Sequence, residues 1–369
     1  MPPTTNTAAT SLHSEPVNNL PKDLAVFSCP LPLPAGERIL LGHGSGGKLS
    51  AELLKDIFLP ALGNPVLNRL EDQAIVSLNG TRLAFSTDSF VVKPLFFRGG
   101  DIGSLAVHGT INDLAMGGAE PLWLSAAFIL EEGLPTEVLR RVVSSMQRAA
   151  AAAGVPIITG DTKVVEKGSA DGLFINTTGI GRVREGISLS ASQAQASDAI
   201  IVSGYVGDHG IAILAEREGL QFETQVQSDS AALHTLVASL LEATREVRCL
   251  RDPTRGGLSS TLNEIAACSN VGMELDETSI PVREEVRGAC EMLGLDPMYV
   301  ANEGKLVAIV SASAAQNALR ALQSHPLGKD AFIIGRVTAD HPHMVVMRTP
   351  LGTTRIVDML AGDQLPRIC

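Results

Sequence analysis

The sequence lacks three features that would each assign it to a broad class of protein. It has no run of lysines or arginines, no apolar stretch long enough to cross a bilayer and no closely spaced pair of cysteines. Acidic residues outnumber basic ones by 40 to 29, which gives a formal net charge of −11. A surface of this sign repels phosphate backbones and anionic lipids, so we expect neither nucleic acid nor a membrane as a partner.

The other two absences bear on location. The longest apolar stretch, residues 122–130, is too short for a membrane helix and contains Ser125. The N-terminus has neither the basic segment nor the apolar segment of a signal peptide. The five cysteines are odd in number and include no C-x-x-C pair, which is typical of a reducing compartment rather than of a disulfide framework or a zinc site. We therefore expect a cytoplasmic protein.

The length and the alternation of strand-like and helix-like segments predict two domains of the α/β class. Residues 1–36 carry seven prolines and no apolar periodicity, which indicates a disordered or loosely docked extension. A stretch rich in Ser, Ala and Gln at 184–197 separates the two domains. The predicted segments are an extension at 1–36, a first domain at 37–184, a second at 185–345 and a C-terminal segment at 346–369.

A glycine-rich stretch follows a short strand predicted at residues 38–41 and precedes an apolar-periodic helix. Backbone N–H groups at the start of a helix favour phosphate. The candidate ligands there are Gly44, Ser45, Gly46, Gly47 and Lys48. The stretch also matches the G-x4-G-K part of a P-loop, but Leu49 stands where a P-loop needs Ser or Thr to hold Mg²⁺. A purely structural glycine turn is the third interpretation.

Four aspartates of the first domain lie at the ends of predicted strands or on a predicted helix. Apolar periodicity predicts helices over 102–116 and 136–153, and strands that end at residues 86 and 158. The four are Asp72, Asp88, Asp113 and Asp161, with Asn112 and Gly160 beside the last two. Magnesium binds carboxylate oxygens together with nucleotide phosphates, so the set predicts a metal–nucleotide site. Each aspartate taken alone is better explained as a cap or turn residue, and only the set of four favours the metal–nucleotide site.

The second domain also contains a glycine-tipped helix start. Asp252, Arg255 and Gly256 precede a helix predicted at 258–267, and the arginine is suited to an anion, although an ordinary capped helix is the alternative. Glu303 lies between Asn302 and Gly304, where a simple turn residue is the alternative. The chain ends in Cys369, whose thiol indicates either a carrier arm or a frayed terminus.

Taken together and in order, these motifs resemble those of the HypE family of hydrogenase maturation factors. The motifs are at residues 42–47, 86–89, 112–115, 160–165, 252–257, 301–304 and 366–369, and the resemblance runs from about residue 38 to the last residue. Several of them recur in aminoimidazole ribonucleotide synthetase, selenophosphate synthetase and thiamine monophosphate kinase. The C-terminal Pro-Arg-Ile-Cys is the feature that distinguishes the HypE family.

The resemblance implies a fold and a reaction. The fold would be the two-domain aminoimidazole ribonucleotide synthetase-like α/β fold, with an N-terminal domain that dimerises into a β-barrel, ATP near the dimer interface, and a flexible C-terminal tail. The carbamoyltransferase HypF would deliver a carbamoyl group to the sulfur of Cys369. ATP would drive its dehydration to a thiocyanate, and the cyanide would pass to iron on the HypC–HypD complex.

The resemblance also implies roles for individual residues. Asp72, Asp88 and Asp161 would hold Mg²⁺ and the phosphates of ATP, with Asn112 and Asp113 lining the same site. Glu303 would be the base and Lys163 would stabilise charge, because the matching motifs of the family face the modified thiol. Lys48 and Arg255 would assist at the phosphates.

Three other functions remain compatible with the residues. A sibling enzyme of the same superfamily would phosphorylate a free small molecule and would need no terminal cysteine. A nucleotide-binding scaffold would bind ATP and partner proteins without turnover. A P-loop NTPase would depend on Lys48 for nucleotide binding.

Overall fold

The computed structural model describes residues 38–219 and 226–362. The predicted extension at 1–36 and the terminal Cys369 lie outside the described residues. Within the described ranges, no helix is both long and apolar enough to cross a membrane.

The first half of the chain forms a five-stranded sheet with helices on one side. Its elements are a 3₁₀ turn (Leu41–Gly44), α1 (Lys48–Leu53), a π-helical turn (Leu54–Phe58), α2 (Leu59–Leu62), β1 (Ala74–Leu78), β2 (Thr81–Phe90), β3 (Phe96–Phe97), β4 (Gly100–Asp101), α3 (Ile102–Met116), β5 (Ala119–Glu131), α4 (Thr136–Ala153), β6 (Ile157–Val165) and β7 (Leu173–Val183). The strand order is β1-β2-β7-β5-β6, and only β5 and β6 run parallel. A separate two-stranded sheet pairs β3 with β4.

Local sequence explains how the sheet begins. Leu78 pairs with Thr81, so a two-residue loop joins β1 and β2. Asn79 and Gly80 fill that loop with positive φ angles of 50° and 83°. This Asn-Gly pair matches the turn whose twist suits an antiparallel hairpin, because both of its central residues need positive φ.

Helix α3 is the central element of this half. Asp101 caps its start by accepting hydrogen bonds from the backbone N–H groups of Gly103 and Ser104. Nearly every residue of the helix is buried, which is why its sequence is apolar on all sides rather than on one stripe. Gly109 permits the helix to lie against β2, because a Cβ there would be 2.8 Å from Phe90. The polar side chains of β2 that face the helix are therefore held close to α3.

The second half forms a seven-stranded sheet in the order β14-β13-β10-β12-β8-β11-β9. Its elements are β8 (Ala199–Val202), α5 (Asp208–Glu218), α6 (His234–Ala243), β9 (Val247–Arg251), α7 (Gly257–Ser269), β10 (Gly272–Asp276), α8 (Glu284–Leu293), β11 (Val307–Val310), α9 (Ala315–Gln323), β12 (Phe332–Thr338), β13 (Val345–Arg348) and β14 (Thr354–Ile356). Strands β8 and β11 are buried at every position, as central strands covered on both faces must be.

The predicted helices at 102–116 and 136–153 are confirmed with the same bounds. One predicted strand is absent, and two others extend further than predicted. Residues 38–41 form no strand, and a 3₁₀ turn begins at Leu41. Strands β2 and β6 continue through the polar motifs at 86–89 and 160–165, so Asp88 and Asp161 lie inside strands instead of following them. Asp161 lies on the open face of this sheet, and an open face accepts polar residues within a strand. Asp88 lies on the face that packs against α3, where other carboxyl groups are its neighbours.

Candidate active site

Four aspartates and one glutamate converge where the two halves meet. Asp88 comes from β2 and Asp113 from α3, whereas Asp72 precedes β1. Asp252 lies between β9 and α7, and Glu303 lies just before β11. Asp252 and Glu303 are 9% and 5% exposed, so their carboxyl groups are largely withdrawn from water. The sequence prediction that Asp72, Asp88 and Asp113 lie close together is consistent with this arrangement.

Burial and mutual repulsion raise the pKa values of this carboxylate cluster. Burial, reinforced by Asp252, Asp88 and Asp72, raises the pKa of Asp113 well above its usual range. Burial, with repulsion from Asp72, raises the pKa of Asp252 to about 8. Burial also raises the pKa of Glu303 well above its usual range, and Asp252 is the strongest of the neighbouring charges that contribute. A site with so many carboxyl groups is suited to a cation or to proton transfer.

Arg251 is the principal cation of the cluster, and sequence reasoning missed it. Its guanidinium pairs with the carboxylate of Asp72 and donates a hydrogen bond of 2.7 Å to the carbonyl of Leu70. Glu71 and Glu264 lie 3.9 Å away. The available signal was its position directly before the Asp252 motif, which placed an arginine at the end of β9. The Oδ1 atom of Asp72 is therefore already paired within the protein.

Ser86 and Arg255 contact two of the remaining aspartates. The hydroxyl of Ser86 donates a hydrogen bond of 2.6 Å to Asp113. The guanidinium of Arg255 lies 4.0 Å from Asp88. Gly256 follows in the left-handed region with φ of 77° and precedes α7, where a Cβ would clash with Ser260. The motif that begins at Asp252 thus brings a carboxyl group and a guanidinium to the cluster.

Asn112 lies at the site, but its polar atoms are occupied by the protein. It is 1% exposed. Its amide donates to the carbonyls of Ala231 at 3.0 Å and Glu303 at 3.3 Å, and its oxygen accepts from the N–H of Leu233 at 2.8 Å. Asn112 therefore holds three backbone groups in place, which a sequence motif alone does not reveal.

The glycine-rich stretch contacts the C-terminal segment of the same chain. The N–H of Lys48 donates to the carbonyl of Leu360 at 2.8 Å, and the Lys48 ammonium lies 2.5 Å from Asp358. The hydroxyl of Ser45 lies 3.1 Å from the carbonyl of Gly362. A Cβ at Gly47 would clash with Leu360. In this arrangement the start of α1 binds protein backbone, and Lys48 is paired with a carboxylate.

Other glycines of this stretch differ in their surroundings. A Cβ at Gly46 would lie 2.8 Å from the Cβ of Arg255, and Gly46 adopts a φ of 73°. Gly44 has nothing within 4 Å of a Cβ position. The carbonyl of Gly44 lies 3.5 Å from the Arg255 guanidinium. Gly46 is thus required by close packing against the Asp252 motif.

Asp161, Lys163 and Gly160 lie on β6 and do not join the carboxylate cluster within one chain. Asp161 pairs with Ala127 of β5 and Lys163 with Ile129. The side chains of Asp161 and Lys163 lie on the open face of the sheet. Asp88 lies on the other face and points towards Gly109 of α3. The Lys163 ammonium is 3.7 Å from Asp161, and both side chains are largely exposed. The structure therefore separates this motif from Asp88 by two intervening strands.

The described cysteines are unfavourable nucleophiles. Cys249 and Cys290 are buried, and Cys268 is exposed. Burial raises the pKa of Cys290 to about 11 and also raises the pKa values of the other two thiols. Because the thiolate is the reactive form, these three side chains are held in the unreactive state.

Two family models match most of this chain. The family model described as AIR synthase related protein, N-terminal domain, matches residues 70–183, and the model of the C-terminal domain matches residues 195–347. The first match contains the five-stranded sheet and α3, and the second contains Asp252 and Glu303. Fold and site together thus define an AIR synthase-related protein of two α/β domains.

Individual relatives narrow the assignment. The carbamoyl dehydratase HypE of Azotobacter vinelandii is 59% identical over 327 residues, which cover 89% of this chain and 96% of that protein. The chain therefore belongs to the HypE family of carbamoyl dehydratases, which are enzymes of hydrogenase maturation. The crystal structure of a HypE–HypF complex matches with a TM-score of 0.80 at 49% identity, covering 84% of this chain and 99% of that one. HypE in complex with ATP matches with a TM-score of 0.76 at 52% identity, covering 90% and 100%.

Proposed function

We propose that this protein dehydrates a carbamoyl group carried on the sulfur of Cys369 and uses ATP to do so. The carbamoyl oxygen attacks the terminal phosphoryl group of ATP, and ADP leaves. The oxygen then departs as phosphate, the two N–H protons are removed, and a nitrile remains on the sulfur as thiocyanate. Phosphorylation is needed because an amide oxygen is a poor leaving group.

The observation that carries this proposal is the environment of Glu303. Its carboxyl group is buried, and its pKa is raised well above the usual range of a glutamate by burial and by Asp252. A general base works best when its pKa lies near the working pH, and a raised carboxyl pKa moves in that direction. We assign Glu303 as the base that removes the N–H protons. Lys163 stabilises the developing negative charge in this scheme.

The carboxylate cluster fits a magnesium–nucleotide complex. In the described part of the chain, no three His, Cys, Asp or Glu side chains form a ready metal cage. Magnesium in nucleotide sites uses one or two carboxylates and takes its other ligands from phosphate and water, so a full cage is not required. We propose that Asp72 and Asp88 of the cluster bind the magnesium ions together with Asp161, which reaches the site through the homodimer inferred below, and that these ions neutralise phosphate charge. Burial and repulsion by Asp252, Asp88 and Asp72 raise the pKa of Asp113, and a bound cation relieves the repulsion. The ATP complex of a 52% identical HypE supports the nucleotide.

Asp113, Asp252 and Arg255 line the same site, with the glycine stretch at its edge. Arg255 is the best placed cation for the phosphates, since it lies beside Asp88. Lys48 serves them only when its contact with Asp358 opens.

We infer a homodimer through the open face of the five-stranded sheet. The face exposes Phe85, Trp123 and Ile129, which are 46%, 45% and 43% exposed. Large apolar side chains grouped on one sheet face mark an interaction surface. Asp161 and Lys163 project from the same face, so pairing gives them a place in a site shared between two chains.

The complex of a 49% identical HypE with HypF supports HypF as the partner that carbamoylates Cys369. We propose that the cyanide is then transferred to iron on the HypC–HypD complex, in the cytoplasm.

Intact mass spectrometry tests the proposal directly. The protein is incubated with carbamoyl phosphate, the carbamoyltransferase and ATP, and its C-terminal peptide is followed over time. The expected result is a carbamoyl adduct on Cys369 that loses one water only when ATP is present. Cys369→Ala is the control and should give neither species. An adduct on Cys268 instead, or ADP release with no loss of water, would overturn the assignment.

A further inference from the structure

Residues 228–233, here called the strap, run between α3 and the loop that carries Glu303. The N–H of Ser228 donates to the carbonyl of Arg98 at 2.8 Å. The ring nitrogen Nδ1 of His209 lies 2.8 Å from the Ser228 hydroxyl, and that of His108 lies 3.0 Å from the Ser230 hydroxyl. The strap is thus fixed to both halves of the molecule at its first three residues.

Asp229 of the strap is bound to the Glu303 loop. Its Oδ1 accepts a hydrogen bond of 3.0 Å from the N–H of Glu303, and its Oδ2 lies 3.0 Å from the ammonium of Lys305. The two side chains of this ion pair are only 3% and 13% exposed. Gly304 makes the approach possible, because a Cβ there would clash with the carbonyl of Asp229. No other residue type would leave both contacts intact.

The charge on Asp229 strengthens this contact. Burial raises its pKa, but Lys305, His209 and the N–H of Glu303 together outweigh burial, so that the pKa of Asp229 is lowered. An ionised acceptor makes a hydrogen bond roughly twice as strong as a neutral one. The carbonyl of Glu303 is held from the other side by the amide of Asn112 at 3.3 Å. The peptide groups on either side of the Glu303 Cα are therefore both fixed.

We propose that Asp229, with Lys305 as its counter-ion, is the positioning residue that directs the carboxyl group of Glu303 towards the carbamoyl group. The inference rests on the proposed role of Glu303 as base. Displacing a reacting group by about 1 Å costs on the order of 100-fold in rate, which sets the size of the effect when the contact is lost.

Paired substitutions test this without leaving a buried charge unpaired. Asp229→Leu/Lys305→Met removes the ion pair and the acceptor for the Glu303 N–H. Asp229→Asn/Lys305→Met removes the same charges but retains an oxygen that accepts this hydrogen bond. Asp198→Leu/Arg248→Met is the matched control, because that ion pair is also largely buried, at 2.8 Å, and its described hydrogen bonds lead to Gln195 and not to residues 302–304. Thermal unfolding, ATP affinity and single-turnover loss of water from the carbamoylated tail are measured for all three.

The expected result is a split between binding and turnover. The Leu/Met variant should bind ATP as the parent does but dehydrate the tail about 100-fold more slowly. The Asn/Met variant and the control should keep most of the parental rate. Parental turnover in the Leu/Met variant, or an equal loss in the Asn/Met variant, would refute the positioning role. Failure of the proposed function is distinct from both, because the parent protein itself would then show no ATP-dependent loss of water.

Discussion

Acidification should destabilise the protein through His209, and the size of the effect follows from its burial. The side chain is 0% exposed, and its Nδ1 lies 2.8 Å from the Ser228 hydroxyl. Among the described residues, its Nε2 has no hydrogen-bond partner. Burial lowers the pKa of His209 to about 4, and the attraction of Asp229 offsets only part of this.

The sign follows from proton linkage. In the unfolded chain the pKa is about 6.5, so between about pH 6.5 and pH 4 the unfolded state binds more protons than the folded state. Stability is therefore complete above pH 6.5 and falls as the pH drops through this window. With folded and unfolded pKa values of about 4 and 6.5, His209 costs about 2 kcal/mol at pH 5 and about 3 kcal/mol below pH 4.

Urea unfolding at about pH 7 and about pH 5 measures this term. His209→Gln retains polar atoms for Ser228 but does not titrate, so it should lose about 2 kcal/mol less than the parent between the two pH values. His341→Gln, at an exposed position, is the control and should behave as the parent. If His209→Gln and the parent lose the same free energy of unfolding, the buried neutral histidine is not the cause.

Three further perturbations have defined outcomes. Gly47→Ala places a Cβ against Leu360 and should release the C-terminal segment, which would be seen as faster proteolysis after residue 357. Gly44→Ala is the control, because its Cβ has nothing within 4 Å and should not change the rate of proteolysis. Equal proteolysis of the two variants would contradict the contact. Arg251→Met leaves Asp72 buried without its partner and should lower the free energy of unfolding by about 3–5 kcal/mol in denaturant. A loss below about 1 kcal/mol would show that the ion pair behaves as a solvent-exposed one. Trp123→Asp puts a charge on the open sheet face and should convert a dimer to a monomer in sedimentation; an unchanged mass would move the interface elsewhere.

The sequence was most informative where local periodicity and residue chemistry act alone. Helix α4 is amphipathic and ends at Gly154, so both of its bounds follow from the pattern. Asp88 and Asp161 illustrate the limit. Both were predicted at strand ends, yet each lies inside a strand, on opposite faces of the same sheet. Only the order and register of the strands show that the two aspartates lie far apart within one chain.

Hydrogen bonds and ion pairs between residues distant in sequence could not be predicted, for a different reason. Asn112 was predicted to line the nucleotide site, but its hydrogen bonds to residues about 120 and 190 positions away occupy its polar atoms. Arg251 was missed because its position before the Asp252 motif does not show which residue it binds, and its partner Asp72 is 179 positions away in sequence. The link between Asp229 and Glu303 likewise depends on packing between segments that are distant in sequence.

The contact between the glycine stretch and residues 358–362 has a consequence for kinetics. Cys369 is the seventh residue after Gly362, and seven residues extend to at most about 25 Å. A sulfur tethered within that radius meets its site at an effective concentration of about millimolar, whatever the concentration of protein in the cell. In the proposed reaction the encounter of cargo and nucleotide thus becomes first-order, and the rate per molecule should not change on dilution as long as both the tether point and the inferred homodimer hold.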